Sequence, residues 1–398
     1  MDEEIIPSKI LLPELWMEIF SKLPAKTLVR SRCVCKSWRS MIDNPSFISM
    51  HITRFKNNFN KHFLLSFETH NSFDDDQFEL KIRVRTMGKF RKREQILGLT
   101  FSADDYHIDY KGYVDGLLLF GRYYVGSYDL FLLNPSIRKS IVLPQIPSSP
   151  AGRAETVIGF DPVKNDYKVV MILFPIRLVD HTFPDSIMVY EFRIGEWRFN
   201  TGLEIPHEWF LGENVLTKGV VHWLSFNLFL QLPLPKNYTH IVSFNFGTET
   251  FSYTELPGDR SDDYEKITYP FLLGDSLAVL DISLDLVDVY HANFCIWVMT
   301  KCGGNWTESW SKRDHKVIGL DTFGFFQEYK YNIRNLLYVE SIQKFLLEVN
   351  GKVKSYDLES HKIKELESSD GCYSMIPYVE SLLLCKRLEE ECHDCDSD

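Results

Sequence analysis

No stretch of this sequence is long and apolar enough to cross a membrane as a helix. The nearest, 271–290, is interrupted by Asp275, Asp281, Asp285 and Asp288. The opening MDEEIIPSK lacks the basic start and apolar run of a secretory signal. The expectation is a soluble chain of the cytoplasm, the nucleus or both, with no membrane partner. Without secretion, the glycosylation-type triplets at Asn237 and Asn305 carry no meaning. Cysteine is scarce, 8 in 398 residues, which argues against a disulfide scaffold. Cys33 and Cys35 read as core thiols, and Cys295 and Cys302 fall in a hairpin. Cys392 and Cys395 form a C-x-x-C, but neither Cys385 nor Cys372 supplies a second pair at zinc spacing. No metal and no cofactor is expected.

Catalytic patterns are also missing. The phosphate-cradling glycine loops, the nucleophile elbow and the paired-histidine zinc helix do not occur, and His207-Glu208 lacks its second histidine. His222, between Val221 and Trp223, reads as a core or rim residue. The pairs Asp104-Asp105 and Asp262-Asp263 lie in polar segments and read as solvated loops rather than as two carboxylates aimed at one bond. A net charge of −11 speaks against a nucleic-acid groove. The basic run Lys89 to Arg93 reads as a charged loop.

What is present divides the chain in two. In Leu11 to Ile42, Pro13 suits a first helical position. Leu15, Ile19, Phe20 and Leu23 follow at helical spacing, and Pro24 ends that helix. Lys26 to Arg30 can form a short second turn. Val34, Trp38, Met41 and Ile42 make a third stripe, and Pro45 opens a short turn with Phe47 and Ile48. A unit of roughly 40 residues is marginal alone, so it needs a partner, either the rest of the chain, as a helical cap on the C-terminal domain, or another protein. Lys22, Lys26, Arg30, Arg32, Lys36 and Arg39 make it basic within an acidic chain, which suits an acidic, apolar docking surface.

Beyond Phe55 no long helical period remains. Short apolar or alternating runs follow, among them FLLSF (63–67), GLLLF (116–120) and KFLLEV (344–349), bounded by Gly, Pro, Asn and Asp. Aromatics at 14% also favour strands. Five units repeat one hairpin plan, from DLFLLNPSIRKSIVLP to VKSYDLESHKIKELE. Their anchors Leu133, Tyr190, Phe244, Trp297 and Tyr356 recur at the spacing of a four-stranded blade. A weaker unit lies near FELKIRVRTMGKF. The repeats predict a propeller of about six blades, with 378–385 as a late strand beside FLLSF closing the ring. A double β-sandwich is the alternative.

The N-terminal run resembles an F-box: the L-P-x-E/D-L opening, the central L-P, the V-C-K-x-W segment and the closing P-x-F occur in order. Beyond it, NPSIRK, GFDPVKNDYKVV, VYEFRIGEWR, GVVHWLS, IVSFNFGTETF and LAVLD resemble the F-box-associated domain of plant F-box proteins, grouped with kelch-type propellers. Pollen S-locus F-box proteins share this layout. True kelch repeats differ: Gly-Gly occurs once, at Gly303-Gly304, and the Tyr and Trp pair is clear only at Tyr190 and Trp197.

The resemblance implies a small all-α F-box module at 8–53, a large all-β domain at 61–388 and an acidic tail at 389–398. It implies a non-catalytic substrate receptor of a Skp–cullin–F-box ubiquitin ligase, bound to a Skp-family adaptor and through it to cullin and RING subunits. By motif position, Leu12, Pro13, Leu15, Ile19, Phe20, Leu23, Pro24, Val34, Cys35 and Trp38 face the adaptor or hold that surface; Leu12, Leu15, Ile19 and Trp38 are expected to point outward. A protein target is expected at long insertions, Thr69–Gln77, Pro175–Asp185, Leu232–Tyr238 and Pro257–Tyr269. Its contacts would come from Phe73, Asp74, Asp75, Asp76, Phe183, Tyr238, Asp262, Asp263 and Tyr264, and it would present a partly basic surface. The alternatives are a propeller that recognises a small ligand or glycan, and a propeller enzyme.

Overall fold

The computed structural model describes residues 12–56, 63–72, 77–86, 95–102, 105–124, 127–146, 153–174, 186–200, 209–227, 238–258, 266–284, 291–302, 307–319, 325, 333–339, 343–349, 352–367 and 374–385. Four helices lead: α1 (Pro13–Phe20), α2 (Ala25–Ser31), α3 (Lys36–Ile42) and α4 (Pro45–Lys56). The fourth corrects the expected short turn. It runs 12 residues because Phe47, His51 and Ile52 recur on one face and are buried. The third starts at Lys36, so Val34 precedes it and shares no helical stripe with Trp38. None of the described helices is long and apolar enough to cross a membrane.

The strands form six four-stranded antiparallel sheets. Five are continuous in sequence. In the remaining one, the last strand, Ser374–Tyr378, pairs with the first, Phe63–Ser72, from Phe63 opposite Tyr378 to Phe67 opposite Ser374. The ring therefore closes by joining the two ends of the domain, as FLLSF suggested. The closing strand ends at Tyr378, however, and 379–385 leaves the sheet. The first strands of successive sheets adjoin, as Asp105–Val114 and Arg153–Asp161 do. This is a six-bladed β-propeller, and the sandwich alternative falls.

The apolar runs of the sequence are the second strands. Leu117–Tyr124, Asp166–Phe174, Ser276–Leu284 and Lys344–Val349 are packed between neighbouring blades on both faces, so Leu117 to Phe120 and Val169 to Ile172 are almost wholly buried in sequence. The repeated hairpins are the third and fourth strands. Leu133, Tyr190, Phe244 and Tyr356 are buried anchors as expected. Trp297 is only half-buried, and Phe294 fills its blade, 5.5 Å from the Tyr356 ring.

One turn recurs at the hairpin ends. Asn245 Oδ1 accepts from Gly247 and Thr248 N–H, and Asp357 Oδ1 from Glu359 and Ser360 N–H. Four residues after the first turn position, Arg138, Gly195, Glu249 and His361 all take positive φ, which closes a tight hairpin on one left-handed residue. Tryptophans then tie blade to blade: Trp197 Nε1 donates to Pro144 O at 2.9 Å and Trp310 Nε1 to Glu255 O at 2.8 Å.

Candidate functional site

The helical module has an inner and an outer side. Phe20, Ala25, Leu28, Ile42 and Phe47 form its core. Trp16, Phe20 and Trp38 pack as a trio of tilted and edge-on rings, with Trp38 centred 4.7 Å from Trp16 and 4.9 Å from Phe20. His51 Nε2 donates to the Leu23 carbonyl at 2.9 Å, tying α4 to the Leu23-Pro24 turn. Burial holds its pKa below the usual histidine range, and the Leu23 hydrogen bond opposes this weakly. Arg32 grips Asp43 through two bonds of 2.6 and 2.7 Å.

Large apolar side chains remain outside that core. Leu12 is 65% exposed, Leu15 48%, Ile19 42% and Val34 63%. Pro13, Pro24 and Cys35 are exposed as well. Together these make an apolar surface on a module that already has its own core, which an isolated soluble module does not need. Phe20, 2% exposed, and half-buried Leu23 sit behind this surface rather than on it. Two expectations require correction. Trp38 is half-buried rather than outward, because its ring packs against Trp16 and Phe20. Cys33 and Cys35 are exposed rather than core thiols. The basic face is also smaller than the composition suggested: Arg32 is spent on Asp43 and Lys22 pairs with Glu18 at 2.9 Å, while Lys26, Arg30 and Lys36 stay exposed.

The module sits on one face of the propeller. Lys56 Nζ lies 2.5 Å from Asp115 Oδ1, in the turn between the first and second strands of its blade. Ile137, in the turn between the third and fourth strands, packs against the module's core. Antiparallel alternation puts both kinds of turn on one face, and leaves the connections between second and third strands, and between blades, to the other. Each of the four anticipated insertions is a connection of the latter kind.

Their boundaries shrink. Thr69–Ser72 and Gln77 are in strands, because the hairpin ladder continues to Ser72 opposite Gln77. Lys266 to Tyr269 likewise belong to a strand. Phe73, Asp74, Asp75, Asp76, Phe183, Asp262, Asp263 and Tyr264 lie outside the described residues, as do His207-Glu208, Lys89 to Arg93 and Cys392 and Cys395. Tyr238 is described and is not an exposed anchor. It packs half-buried against the cluster of Leu224, Ile241 and Leu256. Asp105 opens a strand rather than a loop. His222 is buried, with Nδ1 2.7 Å from Ser243 Oγ.

Among the described residues, one buried charged cluster joins two neighbouring blades. Lys168 Nζ, fully buried, lies 2.6 Å from Asp161 Oδ2 and 2.6 Å from Glu249 Oε1, and donates to the Phe246 carbonyl at 2.9 Å. Arg198 bonds Glu249 and Glu191, and Lys164 Nζ reaches Glu191 at 2.9 Å. Burial raises the Glu249 pKa, but hydrogen bonds from Arg198 and Lys168 outweigh it and hold the carboxyl at about 2. Every member has an opposite charge within reach. Among the described residues no group of three or more His, Cys, Asp or Glu is placed to hold a metal.

Residues 10–50 match the F-box domain, and residues 54–333 match the F-box associated beta propeller domain. F-box protein CPR1 of Arabidopsis thaliana is 28% identical, over 93% of this chain and 88% of that protein. Putative F-box protein At3g23260 of the same plant is 25% identical, over 93% of this chain and 97% of the relative. F-box protein At1g47340, also of Arabidopsis thaliana, is 26% identical over 66% of this chain, and the match spans only 56% of that relative. With four packed helices carrying an outward apolar surface, a propeller behind them and both domains matched in order, the chain belongs to the plant F-box proteins that carry an F-box associated β-propeller domain.

Proposed function

We propose that this chain is the substrate-recognition subunit of a Skp–cullin–F-box ubiquitin ligase. The observation that carries the reading is the outward set Leu12, Leu15, Ile19 and Val34 on an F-box module whose core is already complete without them. Burying one such side chain against a partner contributes about 1.5–3 kcal/mol. A Skp-family adaptor is the occupant this module type implies, and cullin and RING subunits follow through it.

The chain contributes no bond-making chemistry in this scheme. A thioester-linked ubiquitin, carried by other subunits, is attacked by a substrate lysine, and the chain brings that lysine near. Proximity can lower a barrier by about 7–11 kcal/mol in well-oriented systems. The target is proposed on the propeller face opposite the F-box, where the connections between second and third strands emerge. That arrangement keeps adaptor and target from competing for one surface.

Affinity capture of the full chain from plant cells, with and without proteasome inhibition, tests the reading. Adaptor and cullin in both samples, with one protein that accumulates only under inhibition, is the expected result. Capture of a constant set without adaptor would overturn it.

A further inference from the structure

The segment after the closing strand takes part in two domains at once. On the propeller side, Val379 N–H donates to Tyr113 Oη at 2.8 Å and Ser381 N–H to Ser136 Oγ at 3.2 Å. Asn134, wholly buried, donates through Nδ2 to Ser381 O at 3.1 Å and Leu383 O at 2.8 Å. Its Oδ1 meanwhile accepts from Ser136 N–H at 3.0 Å and holds its own hairpin turn. Gly116, at φ +89°, allows the close approach: a Cβ there would lie 2.8 Å from the Val379 carbonyl oxygen.

On the F-box side, Leu382 and Cys385 belong to the same core as Phe20, Ala25, Leu28, Ile42 and Phe47, at 0% and 1% exposure. Burial pushes the Cys385 thiol up to about 11, against the pull of Arg32, so it stays a neutral apolar filler. Glu380 Oε2 accepts from Ala25 N–H at 3.0 Å and satisfies a donor at the start of α2 that no helical carbonyl can reach. A core this small, short of two of its buried members, loses a large part of its packing.

We infer that 379–385 is a clamp that completes the F-box and fixes it at one angle to the propeller, with Asn134 as a positioning residue that acts through this segment. The F-box then reaches its full stability only when the ring has closed, because the clamp directly follows the closing strand. A chain that has not closed its propeller presents a loosened adaptor surface. The consequence for ubiquitin transfer rests on the substrate-receptor reading; the clamp itself does not.

Hydrogen exchange on the full chain tests this with two variants. Asn134→Asp keeps the oxygen that receives Ser136 N–H but sets a carboxylate against the Ser381 and Leu383 carbonyls. Leu382→Ala removes the clamp's main apolar contact. Both are expected to speed amide exchange in α1 to α4 by at least about tenfold, with the hairpins of 186–199 and 240–255 unchanged. The Asn134 variant is the discriminating one, since the side-chain bonds of Asn134 run to the clamp and its own turn and none to α1 to α4. Unchanged F-box exchange in Asn134→Asp, or equal acceleration in every blade, would overturn the clamp.

Discussion

At the scale of single residues, the sequence distinguished outward from inward positions only in part. Of the four residues expected to point outward, Leu12, Leu15 and Ile19 are exposed, because the motif fixes their place. Trp38, the fourth, is half-buried, because spacing reveals a stripe but not which of its flanks meets the neighbouring helix. Gly159 was invisible beforehand. It lies in Arg153–Asp161, and a Cβ there would stand 2.2 Å from the Phe246 ring, which is fully buried in the next blade. Gly159→Ala is expected to cost about 1–3 kcal/mol by overpacking, read as a lower urea midpoint. Adding Phe246→Leu should recover part of the loss, as coupled neighbours do; strict additivity of the two changes would contradict the contact.

At the scale of elements, second strands were legible and first strands were not. Runs such as GLLLF are apolar on both faces because blades stack on both sides of them. Asp105–Val114, DYHIDYKGYV, carries Asp105, Asp109 and Lys111 and has no such run, so only the topology reveals it. The turn network around Lys168 is not legible in the sequence either: Asp161 and Lys168 share one hairpin, but Glu249 is 81 residues beyond Lys168 and meets them only through the packing of the next blade. Glu249 has a depressed folded pKa, so its contribution is fully present above the unfolded value near 4.5 and is lost as pH falls through about 2. The shift corresponds to ~3 kcal/mol, shared across the network. Glu249→Gln should therefore flatten the fall in stability between pH 4.5 and 2, followed by urea unfolding at each pH, and lower stability at pH 7. A variant with the wild-type acid profile would contradict this role.

At the scale of the whole molecule, closure and orientation are one event. The N-terminal strand Phe63–Ser72 and the C-terminal strand Ser374–Tyr378 seal the ring, and the chain on either side of that seal belongs to the F-box. The sequence indicated the closing strand but placed it a few residues late, because SLLLC reads as a strand from its own apolarity. In the fold, Leu382 and Cys385 serve the helical core instead. The sequence divides the chain into an F-box at 8–53 and a β domain at 61–388, but the fold shares one core between them. Removing residues 1–60 is now expected to leave a β-rich far-ultraviolet spectrum but uncover Leu382, Cys385 and Ile137. Sedimentation should then show concentration-dependent association. A monodisperse monomer with the full-length thermal midpoint would mean that the F-box lends the propeller nothing.

The most direct measurement is a calorimetric titration of a Skp-family adaptor with the full chain and with Leu12→Ala/Leu15→Ala. Both side chains are exposed and outside the module's core, so the variant should keep the wild-type circular dichroism and thermal midpoint. If they are buried by the adaptor, the affinity falls at least about tenfold, the equivalent of ~1.4 kcal/mol. An adaptor that binds the variant as tightly as the wild type, or binds neither, would contradict the substrate-receptor account.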